Sequence, residues 1–168
     1  DRSPPPQAPL RAALRAGRDA LREAFLARPD TPKLLREHAR LVDRAVREAW
    51  RSCGMPARTA LVAVGGYGRG QLFPHSDVDL LILLPPEAGG AGALGTQAIE
   101  RFLATLWDVG LEASHAVRTV AECVSEMAAD ATIRTSLLEH RLLAGDRALF
   151  REFVRAFQRE NLGADGVR

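Results

Sequence analysis

Lysine, tyrosine and cysteine are scarce in this chain of 168 residues, and no apolar run is long enough to cross a membrane. The two cysteines, Cys53 and Cys123, lie far apart, and we expect buried thiols in a reduced cytoplasm rather than a disulfide. The four histidines show no zinc-ligand spacing, and the N-terminus has no apolar signal core. We therefore expect a cytoplasmic protein with no membrane partner.

Positive charge is not concentrated anywhere in the sequence. Arginine supplies it everywhere except at Lys33, and acidic residues are interspersed, so the net charge is only +2. Because nucleic-acid-binding proteins carry clustered basic residues, the composition gives no support to a nucleic-acid partner. The length fits one domain whose core needs neither disulfides nor structural metal. Since the chain starts without methionine and ends abruptly, we expect it to be a piece of a longer protein.

The N-terminal third of the chain predicts a helical pair. Residues 1–9 are proline-rich, and we expect them to form a disordered tail. Apolar residues at helical spacing predict a first helix over about 10–28 and a second from Thr31, as N-cap, to about Ser52. A short turn between two such helices favours an antiparallel pair, which we assign to residues 10–58.

Beyond the pair, the period of the sequence changes to that of a small sheet. We assign the core to residues 59–128: strands at Thr59–Val64, Val78–Leu84 and Leu111–Arg118, a glycine-rich connection at 65–76, a loop at 87–95 and a helix at about 96–108. Thr119 and Glu122 have the spacing of a capping box, which predicts a further helix. The order of elements predicts an α+β fold, a small sheet packed with helices.

The C-terminal segment, residues 129–168, predicts helices that lead to a missing downstream region. The helical pattern extends to about residue 161, with a break near Gly145. Asp146 follows this break and is the expected N-cap of the last helix.

Two carboxylates stand at the start of the second predicted strand. Asp77 and Asp79 are two residues apart, so in a strand they share a face, while Val78 and its alternate neighbours face the core. Carboxylates side by side repel and raise each other's pKa. A divalent cation relieves this repulsion, and Mg²⁺ suits it best because it pairs carboxylates with substrate phosphates.

A glycine pair precedes these carboxylates and ends the first predicted strand. Gly65 and Gly66 allow the backbone to approach a phosphate closely, and exposed amides there can hold a triphosphate. Alone, an Asp-x-Asp is more often a solvated edge, and a Gly-Gly pair is usually a turn. Together, between two apolar strands, they favour a metal–nucleotide site for phosphoryl or nucleotidyl transfer.

The whole motif resembles a known superfamily. Gly-Gly, ten residues and then Asp-x-Asp resembles the signature of the DNA polymerase β-like nucleotidyltransferases, and the full string over residues 65–81 resembles the N-terminal domain of the PII uridylyltransferases. Trp107–Glu112, His115, Val117–Thr119 and Leu137–Asp146 resemble the same family. The resemblance covers about residues 10–160 and implies a polymerase β-like fold with a small mixed sheet.

The resemblance also implies an activity. Members of the family use Mg²⁺ and UTP to attach UMP to a tyrosine of the PII signal protein in nitrogen regulation. Their HD hydrolase and ACT regions are not part of this sequence. Alternatives stay open: transfer of AMP, another acceptor, a nucleotide-binding regulatory module without catalysis, or a purely helical scaffold.

Roles for single residues follow from the resemblance. Gly65 and Gly66 match the phosphate-binding glycines, and Asp77 and Asp79 match the metal ligands. The superfamily usually has a third carboxylate, for which Glu112 is our candidate, either as general base or as ligand of a second metal. Its alternative role is an exposed charge at the end of a strand.

Other candidates are weaker. Asp108 and Asp130 compete with Glu112, although Asp130 is better explained as a helix cap. Arg69 is expected to neutralise triphosphate charge or to lie free on the surface. Ser76 is expected to contact phosphate or to cap the turn. Tyr67, His115 and Arg118 are given no catalytic role.

Overall fold

The structure, a computed structural model, describes residues 7–86 and 92–165. In chain order the elements are α1 (Ala8–Ala27), α2 (Thr31–Ser52), β1 (Ala60–Val64), α3 (Gly65–Gly68), β2 (Val78–Leu84), α4 (Gly92–Asp108), β3 (Ala113–Thr119), α5 (Val120–Ala129), α6 (Ala131–Leu137), β4 (His140–Gly145) and α7 (Arg147–Asp165). Within these residues, no helix combines the length and the apolar character required to span a membrane.

The four strands of the described chain form one mixed sheet in the order β3-β2-β1-β4. Strand β1 is antiparallel to β2 and to β4, and β3 is parallel to β2. Because side chains alternate along a strand, each central strand supplies both faces of the sheet. One face packs against α1, α2 and α4, and the other against α5, α6 and α7. This layered arrangement confirms the predicted α+β class.

The helical pair at the N-terminus is confirmed, with corrections at its start and at its turn. Helix α1 begins at Ala8, so residues 8 and 9, predicted as the end of a disordered tail, are helical, and residues 1–6 of that predicted tail lie outside the described residues. Helix α2 begins at Thr31, but its N-cap is Asp30, whose carboxylate accepts a hydrogen bond from the Lys33 amide at 3.0 Å. Thr31 was the predicted cap and is instead the first helical residue. Aspartate caps helices at least as well as threonine, and Asp30 holds the extended backbone that a cap requires.

Strand β4 corrects the prediction that the chain after residue 129 is entirely helical. His140–Gly145 pairs along β1, from Val64 opposite His140 to Ala60 opposite Gly145. A short apolar run can form either a strand or a helix. Here the run forms a strand because the fully buried β1 has a free edge with which it pairs. The predicted boundaries of the three segments, 10–58, 59–128 and 129–168, stay a prediction, although β4 completes the sheet of the central one.

The remaining local predictions have mixed outcomes. Part of the predicted loop at 87–95 lies outside the described residues, and from Gly92 onwards the chain is already in α4. The capping box is confirmed, since the side chains of Thr119 and Glu122 each bond the other's backbone amide. Asp146 caps α7 as predicted, accepting from the Ala148 amide at 2.7 Å.

The cysteines agree with the expectation. Cys53 and Cys123 are both free and buried, in different core clusters on the two faces of the sheet.

A buried ion pair joins α2 to β4. The Arg141 guanidinium donates to both carboxylate oxygens of Asp43, at 2.6 and 3.1 Å, and Asp43 is only 7% exposed. The same guanidinium donates to the Tyr67 carbonyl at 3.0 Å and lies 5.3 Å from the centre of the Tyr67 ring. One side chain of β4 therefore holds both a core helix and the turn α3.

Replacement of Arg141 tests the weight of this pair. Arg141→Met removes both hydrogen bonds to the buried Asp43 carboxylate and leaves it only the longer ion pair with Arg47, 3.8 Å from Nη1 to Oδ2, so the free energy of unfolding should fall by about 2–3 kcal/mol. The control Arg44→Met, at an exposed position of α2, should change it by less than about 0.5 kcal/mol. Chemical denaturation measures both. The double variant Asp43→Leu/Arg141→Met should recover part of the loss, and a loss as large as in the single variant would contradict the proposed cause.

Candidate functional site

The candidate site lies where three strand ends meet at one edge of the sheet. Because β1 and β2 are antiparallel, the end of β1 at Val64 lies beside the start of β2. Because β3 is parallel to β2, its start lies at the same edge, with Ser114 opposite Asp79. The topology therefore brings together the glycine pair after β1, the carboxylates of β2 and the first residues of β3.

Gly65 lies directly against Asp79. A Cβ atom at Gly65 would stand 3.0 Å from the Asp79 Oδ2 atom, and the Gly65 backbone has a φ of +60°. Both facts require glycine, since other residues rarely adopt this φ and their side chain would crowd the carboxylate. The sequence prediction that a glycine turn and the carboxylates form one site is thus supported by contact.

The two aspartates lie in different environments. Asp77 is exposed and immediately precedes β2, whereas Asp79 is partly buried within it. Burial raises the pKa of Asp79, and the nearby negative charge of Asp77 raises it further. Asp79 has its alternate neighbours Leu81 and Leu83 in the cluster formed with α5, α6 and α7. The carboxylate therefore occupies the open end of this otherwise apolar face.

The aspartate pair fits a divalent cation that takes part of its coordination from a ligand. The described residues contain no group of three or more His, Cys, Asp or Glu side chains placed to hold an ion. Two carboxylates with a raised pKa at Asp79 form a hard oxygen donor set, and Mg²⁺ is commonly bound by one or two carboxylates together with substrate phosphates and water. The site suits such an ion when water or ligand oxygens complete its shell.

A cleft of about 220 Å³ opens at Asp79. It is lined by Val64, Gly65, Asp79, Leu80, Ser114, His115, Ala116 and Ser136. Sequence reasoning missed Ser114 and Ser136. Ser114 lies beside Asp79 because β3 pairs with β2, and a correct pairing of the two predicted strands would have identified it. Ser136 comes from α6, and nothing in the sequence indicates that this helix approaches the cleft.

Close packing and one hydrogen bond fix the backbone of the turn α3. Gly66 is the second residue of α3 and is exposed. A Cβ at Gly68 would collide with the backbone carbonyls of Glu139 and Ala63, so the turn packs tightly on β1 and the approach to β4. Together with the bond from Arg141 to Tyr67, this packing fixes the glycine backbone beside Asp79.

Arg69 and Ser76 stand near this turn but do not line the cleft. The exposed Arg69 side chain lies 3.6 Å from Glu139, from Nε to Oε1, a weak ion pair in high dielectric. Ser76 is exposed, and its amide donates to the Phe73 carbonyl at 3.1 Å. Their predicted roles toward phosphate stay predictions.

Glu112 was predicted to lie inside the third strand, but the structure places it outside that strand. It immediately precedes β3, is exposed, and accepts a bond from the Val78 amide through its carbonyl at 2.8 Å. That bond ties the backbone of Glu112 to the start of β2, although its side chain does not line the cleft. The role of Glu112 as third carboxylate therefore stays a prediction.

The rivals of Glu112 have other positions. Asp130 is the N-cap of α6, where it accepts from the Thr132 amide at 2.7 Å, which confirms its structural role. Asp108 is the exposed last residue of α4. Arg118 pairs with Glu126 of α5 and is likewise structural.

Comparison with known proteins places these residues in context. Residues 42–141 match the family described as "Nucleotidyltransferase domain". Three proteins named bifunctional uridylyltransferase/uridylyl-removing enzyme are similar over most of the chain. That of Nitrosospira multiformis is 47% identical over 153 residues, covering 89% of this chain and 17% of its own length. That of Cupriavidus metallidurans is 48% identical over 156 residues, covering 93% and 18%.

The third, from Burkholderia vietnamiensis, is 45% identical over 163 residues, covering 96% of this chain and 19% of its own length. The chain thus spans less than a fifth of the length of these relatives.

The raised pKa of Asp79 predicts a pH-dependent effect on stability. Since the folded state raises this pKa above its usual value of 3.8, the ionised carboxylate destabilises the fold at neutral pH. Asp79→Asn should therefore raise the thermal midpoint at neutral pH without divalent ions, and the gain should vanish as the pH falls toward 3.8. Added Mg²⁺ should raise the midpoint of the wild type but not of the variant.

The matched control is Asp108→Asn, which removes an exposed carboxylate outside the cleft. It should leave both the midpoint and its response to Mg²⁺ unchanged. An equal response to Mg²⁺ in Asp79→Asn and in the wild type would exclude Asp79 as a ligand.

Proposed function

The chain belongs to the nucleotidyltransferase domain family, and we propose that it transfers UMP from UTP, with Mg²⁺, to a tyrosine of the PII signal protein in nitrogen regulation. Its fold is the polymerase β-like nucleotidyltransferase fold that the sequence predicted, with a mixed sheet and helices on both faces. The observation that carries the proposal is the contact of Gly65 with the Asp79 carboxylate at the mouth of a cleft.

This contact supports the proposal because it joins the two functions that nucleotidyl transfer requires. The backbone of Gly65 and Gly66 is open to approach by phosphate oxygens. The carboxylates of Asp77 and Asp79 supply the negative charge that holds a divalent cation. A metal–triphosphate complex lodged between them would have its charge neutralised on both sides, and positioning and neutralisation provide most of the catalysis in phosphoryl transfer.

We propose the following reaction at this site. When bound, the ion neutralises the triphosphate and lowers the pKa of the attacking hydroxyl. The acceptor oxygen forms a bond to the α-phosphorus, the bond from that phosphorus to the oxygen bridging to the β-phosphate breaks, and pyrophosphate leaves. We assign the acceptor's proton to Glu112 as general base. Arg69 and Ser76 are assigned to the phosphates, which guanidinium and hydroxyl groups bind well.

The choice of UTP and of PII rests on similarity rather than on geometry. The relatives named above are called uridylyltransferases, and residues 65–81 resemble the PII-modifying family. We infer a cytoplasmic setting for the same reason. Transfer of AMP or a binding role without turnover are the alternatives that the experiment separates.

The proposed activity is tested by the intact mass of a PII protein incubated with the chain, Mg²⁺ and either UTP or ATP. A UMP-sized gain with UTP alone is expected. A gain with ATP alone would replace the proposal with an adenylyltransferase. If neither nucleotide produces a gain although the chain binds UTP, the binding module is favoured, and a longer protein containing this chain is assayed in the same way.

The carboxylate roles predict the behaviour of two variants. Asp77→Asn and Asp79→Asn should each reduce transfer by at least about 100-fold, since even partners one shell outside a metal cost up to that much. The fold should persist, because both residues lie at the open end of β2. Glu152→Gln, at an exposed position of α7, is the control and should retain full activity. Near-normal transfer in either aspartate variant would refute the assignment.

The assignment of Glu112 has its own test. Glu112→Gln keeps the shape of the side chain and should slow transfer by about 100-fold at saturating nucleotide, as expected on loss of a general base. Asp108→Asn, the rival carboxylate, should have little effect. The opposite pattern would move the base to Asp108, and normal rates in both would remove a third carboxylate from the mechanism. Single-turnover rates distinguish these outcomes from a change in binding.

A further inference from the structure

A second, larger cleft lies away from the Asp79 site, against the N-terminal helical pair. Its volume is about 740 Å³, within the range typical of small-molecule sites. It is lined by Arg11, Leu14, Arg15, Arg18, Asp19, Leu21, Arg22, Phe25, Leu34, His38, Pro74, His75, Val109 and Gly110. The proposed transfer reaction uses none of these residues.

Four arginines of this cleft form a stripe along α1. Arg11, Arg15, Arg18 and Arg22 follow one another at intervals of three or four residues, so they share one side of the helix. Asp19 is the one acidic residue among those that line the cleft. Like charges at this spacing repel and destabilise a helix, so an anion bound along the stripe would stabilise it.

Most of this positive charge is uncompensated. Arg18 donates to the Gly110 carbonyl at 3.3 Å, and no ion pair to Arg11, Arg15 or Arg22 occurs within the part of the chain that the structure describes. Other arginines stabilise the fold through ion pairs, as Arg141 does with Asp43 and Arg118 with Glu126. The stripe therefore differs from the arginines that stabilise the fold.

His38 provides an independent sign of a ligand. Its side chain lines the cleft, is only 2% exposed, and shares a hydrogen bond of 3.0 Å between Nδ1 and the Leu72 carbonyl. Its other ring nitrogen, Nε2, is buried and has no partner among the described residues. The Leu72 carbonyl can only accept, so Nδ1 carries the proton of the neutral ring and Nε2 is an acceptor. Because buried polar atoms in native proteins nearly always have partners, this nitrogen calls for a donor, such as a hydroxyl group, that the protein itself does not supply.

His75 connects the cleft to the motif. It is the one residue other than glycine with a positive φ, 70°, in the described chain. Non-glycine residues in this conformation are uncommon and cluster at ligand sites. His75 stands two residues before Asp77, so a ligand that touches it reaches the segment that leads into β2 and the carboxylate motif.

We propose that this cleft binds a small molecule carrying two or more phosphate groups. The guanidinium groups of the α1 stripe bind the phosphates, since arginine matches phosphate oxygens in pairs. His38 accepts a hydrogen bond from a hydroxyl group of the ligand through Nε2, and His75 adds a further polar group. The partly buried Leu21, Phe25 and Leu34 receive an organic part where one is present. The site is separate from the nucleotide site proposed above, whose cleft has no arginine lining.

The four histidines of the chain localise binding. Two of them, His38 and His75, line the basic cleft, whereas His115 lines the Asp79 cleft and His140 packs among the aromatic rings of α7. Their ring signals are followed by ¹H–¹⁵N NMR while tripolyphosphate or UDP is added at millimolar concentration without divalent ions. We expect the signals of the two cleft histidines to move and those of the other two to stay. Movement of His115 alone, or of none, would overturn the proposal.

Matched arginine variants identify the binding groups. The cleft variant combines Arg11→Gln, Arg15→Gln and Arg22→Gln; the control variant combines Arg36→Gln, Arg40→Gln and Arg44→Gln. Both sets are exposed and remove the same charge from neighbouring helices, but only the first lines the cleft. Calorimetric affinity for tripolyphosphate should fall at least about tenfold in the cleft variant and less than about twofold in the control.

An equal loss of affinity for tripolyphosphate in the two variants would show that the overall charge of the protein attracts the anion, and would overturn the proposal. Thermal midpoints verify that each variant is folded, and Arg15→Gln alone replaces the triple change if it is not. Tighter binding of UDP than of tripolyphosphate identifies nucleoside phosphates as the ligand class, whereas the reverse order identifies inorganic polyphosphate. Because no transfer reaction is measured, failure of this test is distinct from failure of the proposed activity.

Discussion

The buried ion pair between Asp43 and Arg141 connects parts of the protein that are far apart in sequence. It joins α2, on one face of the sheet, to the edge strand β4, and through the Tyr67 carbonyl it also holds the glycine turn. A buried charge is tolerated only when it is paired and hydrogen-bonded, so the three elements must assemble together. In the assembled structure, Arg141 of β4 supports the turn that places the Gly65 backbone beside Asp79.

The site also depends on the mixture of strand directions. The antiparallel partner β1 delivers its C-terminal glycines to the start of β2, and the parallel partner β3 starts at that same edge. One edge of the sheet thus collects backbone amides from one strand and carboxylates from another. At a distance from this edge, the segment through His75 runs from the basic cleft to Asp77. Negative and positive groups therefore occupy separate clefts joined by a few residues of backbone.

Predictions from the sequence were reliable for elements whose formation depends only on neighbouring residues. The apolar run of β2 and the capping box of α5 were predicted because neighbouring residues suffice to form them. Strand β4 was missed since its pairing with β1 depends on an edge distant in sequence. Ser136 was missed for the same reason, and Glu112 was placed inside a strand that begins one residue later. The glycine and aspartate candidates lie together in the structure, as predicted, because they flank β1 and β2, two strands that the sequence predicted correctly.

The alternation of side chains in β2 has a consequence for folding fidelity. Leu80 faces one core cluster and Leu81 the other, while Asp79 occupies the open end of the second face. A slip of β2 by one residue against β1 would exchange the two faces, driving the Asp79 carboxylate toward the helices α2 and α4 and turning Leu80 into the cleft. Such a misaligned molecule would be penalised by burial of an unpaired charge. The carboxylate therefore favours the observed register of β2 against β1, which is the register that places Asp79 at the cleft.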